Sequence, residues 1–154
     1  MTKSNFTIGM KIALVAILVA LTTFQAQAQN SKNDTEKEYQ QKLQKDSING
    51  VYIPKNLEDC FIQLDKMLSD EDRQTIKQLK NRGETILYHH GFGTWLRNNW
   101  GLWGGSRLQQ YLAQKGLNHP DDMSAIVLEF YYDWLNGQHD EWKKFEEKKV
   151  EKKE

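Results

Sequence analysis

One stretch constrains the fold more than any other. Met123, Ile126, Val127, Phe130, Tyr131, Trp134 and Leu135 recur at i, i+3, i+4, i+7, i+8, i+11 and i+12. That is the period of a helix which buries one face. His119-Pro120-Asp121-Asp122 opens it, with a proline suited to a first helical turn and two acids where the helix dipole favours negative charge. Asn136-Gly137 closes it. So broad an apolar stripe must be covered by other elements.

The covering elements also read as helices. Leu57, Cys60, Phe61, Leu64, Met67 and Leu68 form a second stripe, with Asn56 as its cap. Ser69 caps the next helix, with Asp70, Glu71 and Asp72 in its first turn. Only Ile76 and Leu79 are apolar there, so a surface helix is expected, ending at Arg82-Gly83. From Glu84 to Gly105 aromatics mix with glycines. A short helix over residues 94–100 and a tight Gly104-Gly105 loop are expected, with Leu96, Trp100 and Trp103 turned to the core. Ser106 then caps a helix with Leu108, Tyr111 and Leu112 inward, stopped by Gly116. The predicted fold is all-α: a small single-domain bundle of about five helices with a Gly/Trp-rich central segment.

This helical domain is expected over residues 51–137, with Val51-Tyr52-Ile53 as an extended lead-in and Pro54 fixing the turn. Residues 29–50 form a polar spacer, flexible or loosely helical, with too few apolar side chains to bury much. Residues 138–154 form a Lys/Glu tail, with Trp142 and Phe145 as anchors of a docked helix or parts of a frayed one. Residues 1–28 read as a secretory signal peptide. Lys3 and Lys11 precede an apolar run from Ile12 to Phe24, and Ala26-Gln27-Ala28 supplies the small-x-small cleavage pattern. Cleavage is expected after Ala28. The run is shorter than the roughly 20 residues of a membrane span. The expected product therefore has no stable span and works in the periplasm or outside the cell.

The chain carries 21 basic and 21 acidic residues, and loss of Lys3 and Lys11 leaves 19 basic ones. Such a near-neutral product has no long-range field for nucleic acid or an anionic membrane, so no nucleic-acid partner is expected. Cys60 is the only cysteine, which rules out an intramolecular disulfide. Its place on an apolar stripe marks it as a small buried hydrophobe rather than a reactive thiol.

The central segment is where chemistry is expected to concentrate. If residues 93–101 are helical, Gly93, Arg97 and Gly101 share one face. Each helical glycine costs about 1 kcal/mol against alanine, which suggests that the face needs space. The expected site is a groove lined by Gly93, Arg97, Asn98, Asn99, Gly101, Trp103 and Arg107. The arginine would fork onto a carboxylate and an asparagine would fix an amide or hydroxyl. A peptide terminus, an acidic partner side chain or a cell-wall fragment would suit it. The competing reading pairs Arg97 internally with Asp121 or Asp122, tying two helices together.

Catalysis and metal binding have less support. Neighbouring His89 and His90 diverge by roughly 100° on a helix, and no Cys/His ligand spacing occurs. No metal and no cofactor are therefore expected. Gly104-Gly105-Ser106 lacks the second glycine of a nucleophile elbow. Asp121, Asp122, His89 and His119 could provide acid/base groups for a small cell-wall or peptide hydrolase, which is the alternative function.

Three runs carry a resemblance. They are Ile53-Pro54-Lys55-Asn56-Leu57-Glu58-Asp59-Cys60, then Gly93-x-Trp95-x-Arg97-Asn98-x-Trp100-x-Leu102-Trp103-x-Gly105-Ser106-x-Leu108, then His119-Pro120-Asp121-Asp122-Met123-Ser124. Over roughly Tyr52 to Gly137 the chain resembles the bacterial domain-of-unknown-function 6794 family, whose members often look like short exported proteins. The resemblance implies a compact helical domain and carries no activity or substrate. The function expected from all of this is a non-enzymatic binding or interaction module of the cell envelope. Its partner would be an envelope protein or a peptide or cell-wall ligand; an immunity-like or inhibitor role would differ only in the partner.

Overall fold

The computed structural model describes residues 24, 25, 27 and 29–147. The signal peptide expected over residues 1–28 lies outside the described residues apart from those three positions, and so do residues 148–154 of the tail. The chain divides into two compact units, the first ending at Gln40. In the first, residues 29–40 are helical (α1), polar and exposed. Among the described residues no helix is long and apolar enough to cross a membrane.

Among its described residues the second unit is helical, apart from one hairpin and the connecting loops. Strands β1 (Ser47–Ile48) and β2 (Val51–Tyr52) pair antiparallel, Ser47 opposite Tyr52. Their turn is Asn49-Gly50, both at positive φ (50° and 79°). This dipeptide suits a two-residue hairpin because its backbone twist matches that of the strands.

Helix α2 (Leu57–Met67) starts where the Asn56 side chain accepts from Asp59 N. Helix α3 (Asp70–Lys77) starts with a reciprocal capping box between Ser69 and Asp72. It ends at Lys77, earlier than the expected Arg82-Gly83. Side chains of the Pro120–Leu135 helix and its C-cap reach the carbonyls beyond the end of α3: Tyr132 Oη donates to Leu79 O at 3.2 Å, and Asn136 Nδ2 lies 3.4 Å from Lys77 O. A 3₁₀ segment (Arg82–Tyr88) and a π turn (His89–Gly93) lead into α4 (Thr94–Asn99). Next come α5 (Arg107–Gln114), capped by Ser106, and α6 (Pro120–Leu135). The His119 side chain accepts from Asp121 N at the start of α6. Helix α7 (Asp140–Glu147) completes the described chain.

The core gathers around α6. Leu57, Cys60, Phe61 and Leu64 of α2 are fully buried with Leu96, Trp100, Leu108, Leu112, Met123, Val127 and Tyr131. Each such large side chain contributes roughly 1.5–3 kcal/mol through burial. Asp65 ties α2 to α6 by accepting from Tyr131 Oη at 2.7 Å, and Trp134 Nε1 lies 3.4 Å from its other oxygen. Met67, expected on the buried stripe of α2, is exposed.

Cys60 is fully buried, and burial, with Asp59 and Glu146 nearby, pushes its thiol well above the ordinary range. Thiol reagents need an accessible thiolate. Native protein should therefore label with Ellman's reagent at least about 100-fold more slowly than urea-unfolded protein, because reaction must await opening of the core. Equal rates would contradict this packing.

Candidate functional site

Two constellations come from the central segment, one turned inward and one outward. The inward one forms where the π turn meets α6. Isolated π turns are rare and recur at functional sites. Here the turn carries His89 towards the start of α6, and Gly93 sits under the guanidinium of Arg97. A Cβ on Gly93 would stand 3.1 Å from Arg97 Nη1 and 3.6 Å from Ser124 Oγ. The expected space beside Arg97 is thus filled by Arg97 itself.

Arg97 is 5% exposed. Its Nη1 donates to Ser124 Oγ at 2.8 Å, and its Nη2 donates to Thr94 Oγ1 at 2.8 Å and lies 3.4 Å from His89 O. Its Nε lies 3.1 Å from Asp121 Oδ1, in ion-pair range but not aligned as a hydrogen bond. All three nitrogens thus face partners inside the domain. The internal pairing with Asp121, the competing sequence reading, is the arrangement in the structure.

Asp121 also has His89 Nε2 at 3.4 Å from Oδ1 and His119 Nδ1 at 3.3 Å from Oδ2. It therefore stands between one guanidinium and two imidazoles. His89 Nδ1 is buried with no hydrogen-bond partner among the described residues. Asp122 is exposed. The nearby hydroxyl of Ser124 donates to Asp121 O at 3.0 Å while accepting from Arg97. Among the described residues no group of three His, Cys, Asp or Glu is placed to hold a metal ion.

The outward constellation lies in the loop after α4. Gly101 takes φ +65°, and a Cβ there would stand 2.9 Å from Ser106 Cβ and 3.2 Å from Ile48 Cδ1. The loop therefore packs directly on the start of α5 and on the hairpin. Reversal at Gly101 breaks the helical register, and Trp103, expected in the core, is 63% exposed. Its Nε1 donates to Asn98 Oδ1 at 2.9 Å, which fixes the indole against α4. Asn99 Nδ2 caps Trp95 O at 2.9 Å. Arg107 crosses to the hairpin: its Nε and Nη2 donate to Ile53 O at 2.8 and 2.6 Å, and its guanidinium lies 5.0 Å from the Tyr52 ring centre. The seven expected residues are thus divided. Gly93 and Arg97 belong to the inner cluster, Asn98 and Trp103 present a surface, and Gly101, Asn99 and Arg107 hold the backbone that carries it.

A 310 Å³ pocket opens between the 3₁₀ segment and α6, lined by Thr85, Ile86, Leu128 and Glu129 with His89 at its edge. Arg82 lies beside it, with Nε 3.5 Å from Glu129 Oε2 and Nη1 3.3 Å from Asp133 Oδ2. Burial raises both carboxyls above their usual range, while Arg82 opposes the rise. Glu129 and Asp133 stand at i and i+4 on a helix whose other acids, Asp121 and Asp122, lie in its first turn. That spacing was the sequence signal for this tie, and the stripe around it hid it.

Residues 53–135 match the family described as Domain of unknown function (DUF6794). Neither a curated protein nor a solved structure gives a match.

Proposed function

The chain belongs to this family of unknown function, and we propose that it is a non-enzymatic interaction module of the cell envelope which binds a protein or peptide through the surface around Trp103. One observation carries the reading. Trp103 is 63% exposed while its indole N–H is fixed to Asn98 Oδ1 at 2.9 Å. A large aromatic held in one orientation offers contact area at little entropic cost, and tryptophan is enriched among residues that dominate binding energy. The envelope location rests on Lys3, Lys11, the apolar run and Ala26-Gln27-Ala28.

Trp103→Ala tests the reading better than any change at Arg97, because an exposed indole can be removed without opening the core. Affinity capture from envelope extract with tagged wild type should recover a partner that Trp103→Ala loses by about tenfold or more. The unfolding midpoints of the two proteins should agree. Equal recovery of every captured protein would end this reading.

A small hydrolase is the second reading, supported by the approach of His89 and His119 to Asp121. The paired state of Arg97 and Ser124 weighs against it, since the nearest hydroxyl already has a donor and an acceptor. Turnover of cell-wall peptides by wild type and not by a folded His89→Gln variant would favour it.

A further inference from the structure

We propose that the 310 Å³ pocket between the 3₁₀ segment and α6 is a second binding site, which takes a primary ammonium group carried on a small apolar body. Its walls are mostly apolar and carry one carboxylate. Ala125, Leu128 and Glu129 stand at i, i+3 and i+4 of α6 and so share a face, across the pocket from Thr85 and Ile86. Among the described residues no Lys or Arg lines it. Ile86 lines the pocket and is still 62% exposed, so the mouth is apolar too. A volume of 310 Å³ lies at the lower end for ligand pockets. It suits a single ring or a short alkyl chain.

Two polar groups at this pocket are left incompletely met. The first is Glu129. Arg82 lies 3.5 Å from it through Nε and also serves Asp133 at 3.3 Å, so one guanidinium answers two carboxylates. Burial pushes the Glu129 carboxyl up, and Arg82 does not cancel the rise. The second is His89. Its Nε2 stands 3.4 Å from Asp121, and a proton placed there leaves Nδ1 an acceptor, buried with no partner among the described residues. A buried acceptor left unmet costs free energy that a donor recovers. An ammonium brings N–H donors and the missing positive charge together, while its apolar body covers Leu128 and Ile86. An anionic ligand would meet a like charge on a wall without Lys or Arg. Trp103 lies in the loop after α4, away from this wall, so the two sites stand or fall separately.

The test titrates the isotope-labelled full chain with phenethylamine and reads backbone amide shifts by NMR. Saturable shifts should gather at residues 83–89 and 125–129. Phenethyl alcohol has the same body without the charge and should bind at least about tenfold more weakly. Glu129→Gln keeps the shape and removes the charge. It should weaken the amine by at least about tenfold and leave the alcohol unchanged. Ala125→Leu fills the space and should abolish binding of both. A tripeptide amide beginning with phenylalanine separates the two sources of such a group. Tighter binding of this peptide than of the amine, lost on acetylating its amino terminus, makes a peptide terminus the ligand. Tighter binding of the amine makes it a free amine, and either result supports the site. No shift at these residues, equal affinity for amine and alcohol, or unchanged amine affinity in Glu129→Gln overturns the proposal. The comparison of amine with alcohol needs no variant, so it decides the matter should Glu129→Gln fail to fold.

Discussion

Replacing Arg97 with methionine lowers the unfolding free energy by about 3–5 kcal/mol, the range for removing one partner of a buried ion pair. The value should fall near the low end, because the Asp121 side chain keeps 36% of its exposure and can recruit water once the guanidinium is gone. Methionine fills much of the arginine stem but leaves Ser124 Oγ and Thr94 Oγ1 without their donor. Urea unfolding at constant slope measures the change. The loss should persist in 0.5 M salt, since screening acts weakly on pairs removed from solvent. Arg97→Lys restores a charge but not the fork that reaches Ser124 and Thr94 together, so it should recover only part of the loss. A loss below about 1 kcal/mol would place Arg97 among surface pairs instead.

Gly101→Ala should cost about 2–4 kcal/mol, the sum of a left-handed backbone for a residue with a Cβ and overpacking of a closed site. The steric part comes from the 2.9 Å approach to Ser106 Cβ, where something must move. Ser106 is fully buried and caps α5 through Gln109 N at 3.1 Å, so its displacement also weakens that cap. Gly137→Ala is the control. Gly137 has a similar φ of +70° with nothing within 4 Å of an added Cβ, so it carries the conformational cost alone, about 1 kcal/mol. Thermal or urea unfolding should therefore separate the two variants. Equal losses would mean that the loop at Gly101 shifts freely, and that Trp103 is less firmly held than its hydrogen bond to Asn98 indicates.

Most helix starts and stops were legible because they depend on neighbours in the chain; the end of α3 at Lys77 was not. Asn56, Ser69, Ser106 and His119 each accept from a backbone amide two or three residues ahead, and Gly116 and Gly137 take the positive φ that ends a helix. The stripes of α2 and α6 were legible for the same reason, since burial follows a period of 3.6 residues. Asn49-Gly50 was an available hairpin signal within a stretch read as spacer. Its strands are two residues each, too short to show alternation.

The sequence alone thus determined an all-α domain, its caps and most of its core, and it singled out the central segment as unusual. Tertiary structure decided the use of that segment. Spacing put Gly93, Arg97 and Gly101 on one face but could not choose between a ligand and an internal acid for the guanidinium. Asp121 settled it, because docking of α6 brings a carboxylate from 24 positions away to 3.1 Å. Trp103 left the core because the chain reverses at Gly101, and a period that predicts facing holds only while the helix continues. The physical reason is common to both. Caps and periodicity are local energies set by adjacent residues, whereas the fate of a charge or an exposed indole depends on what packing brings beside it.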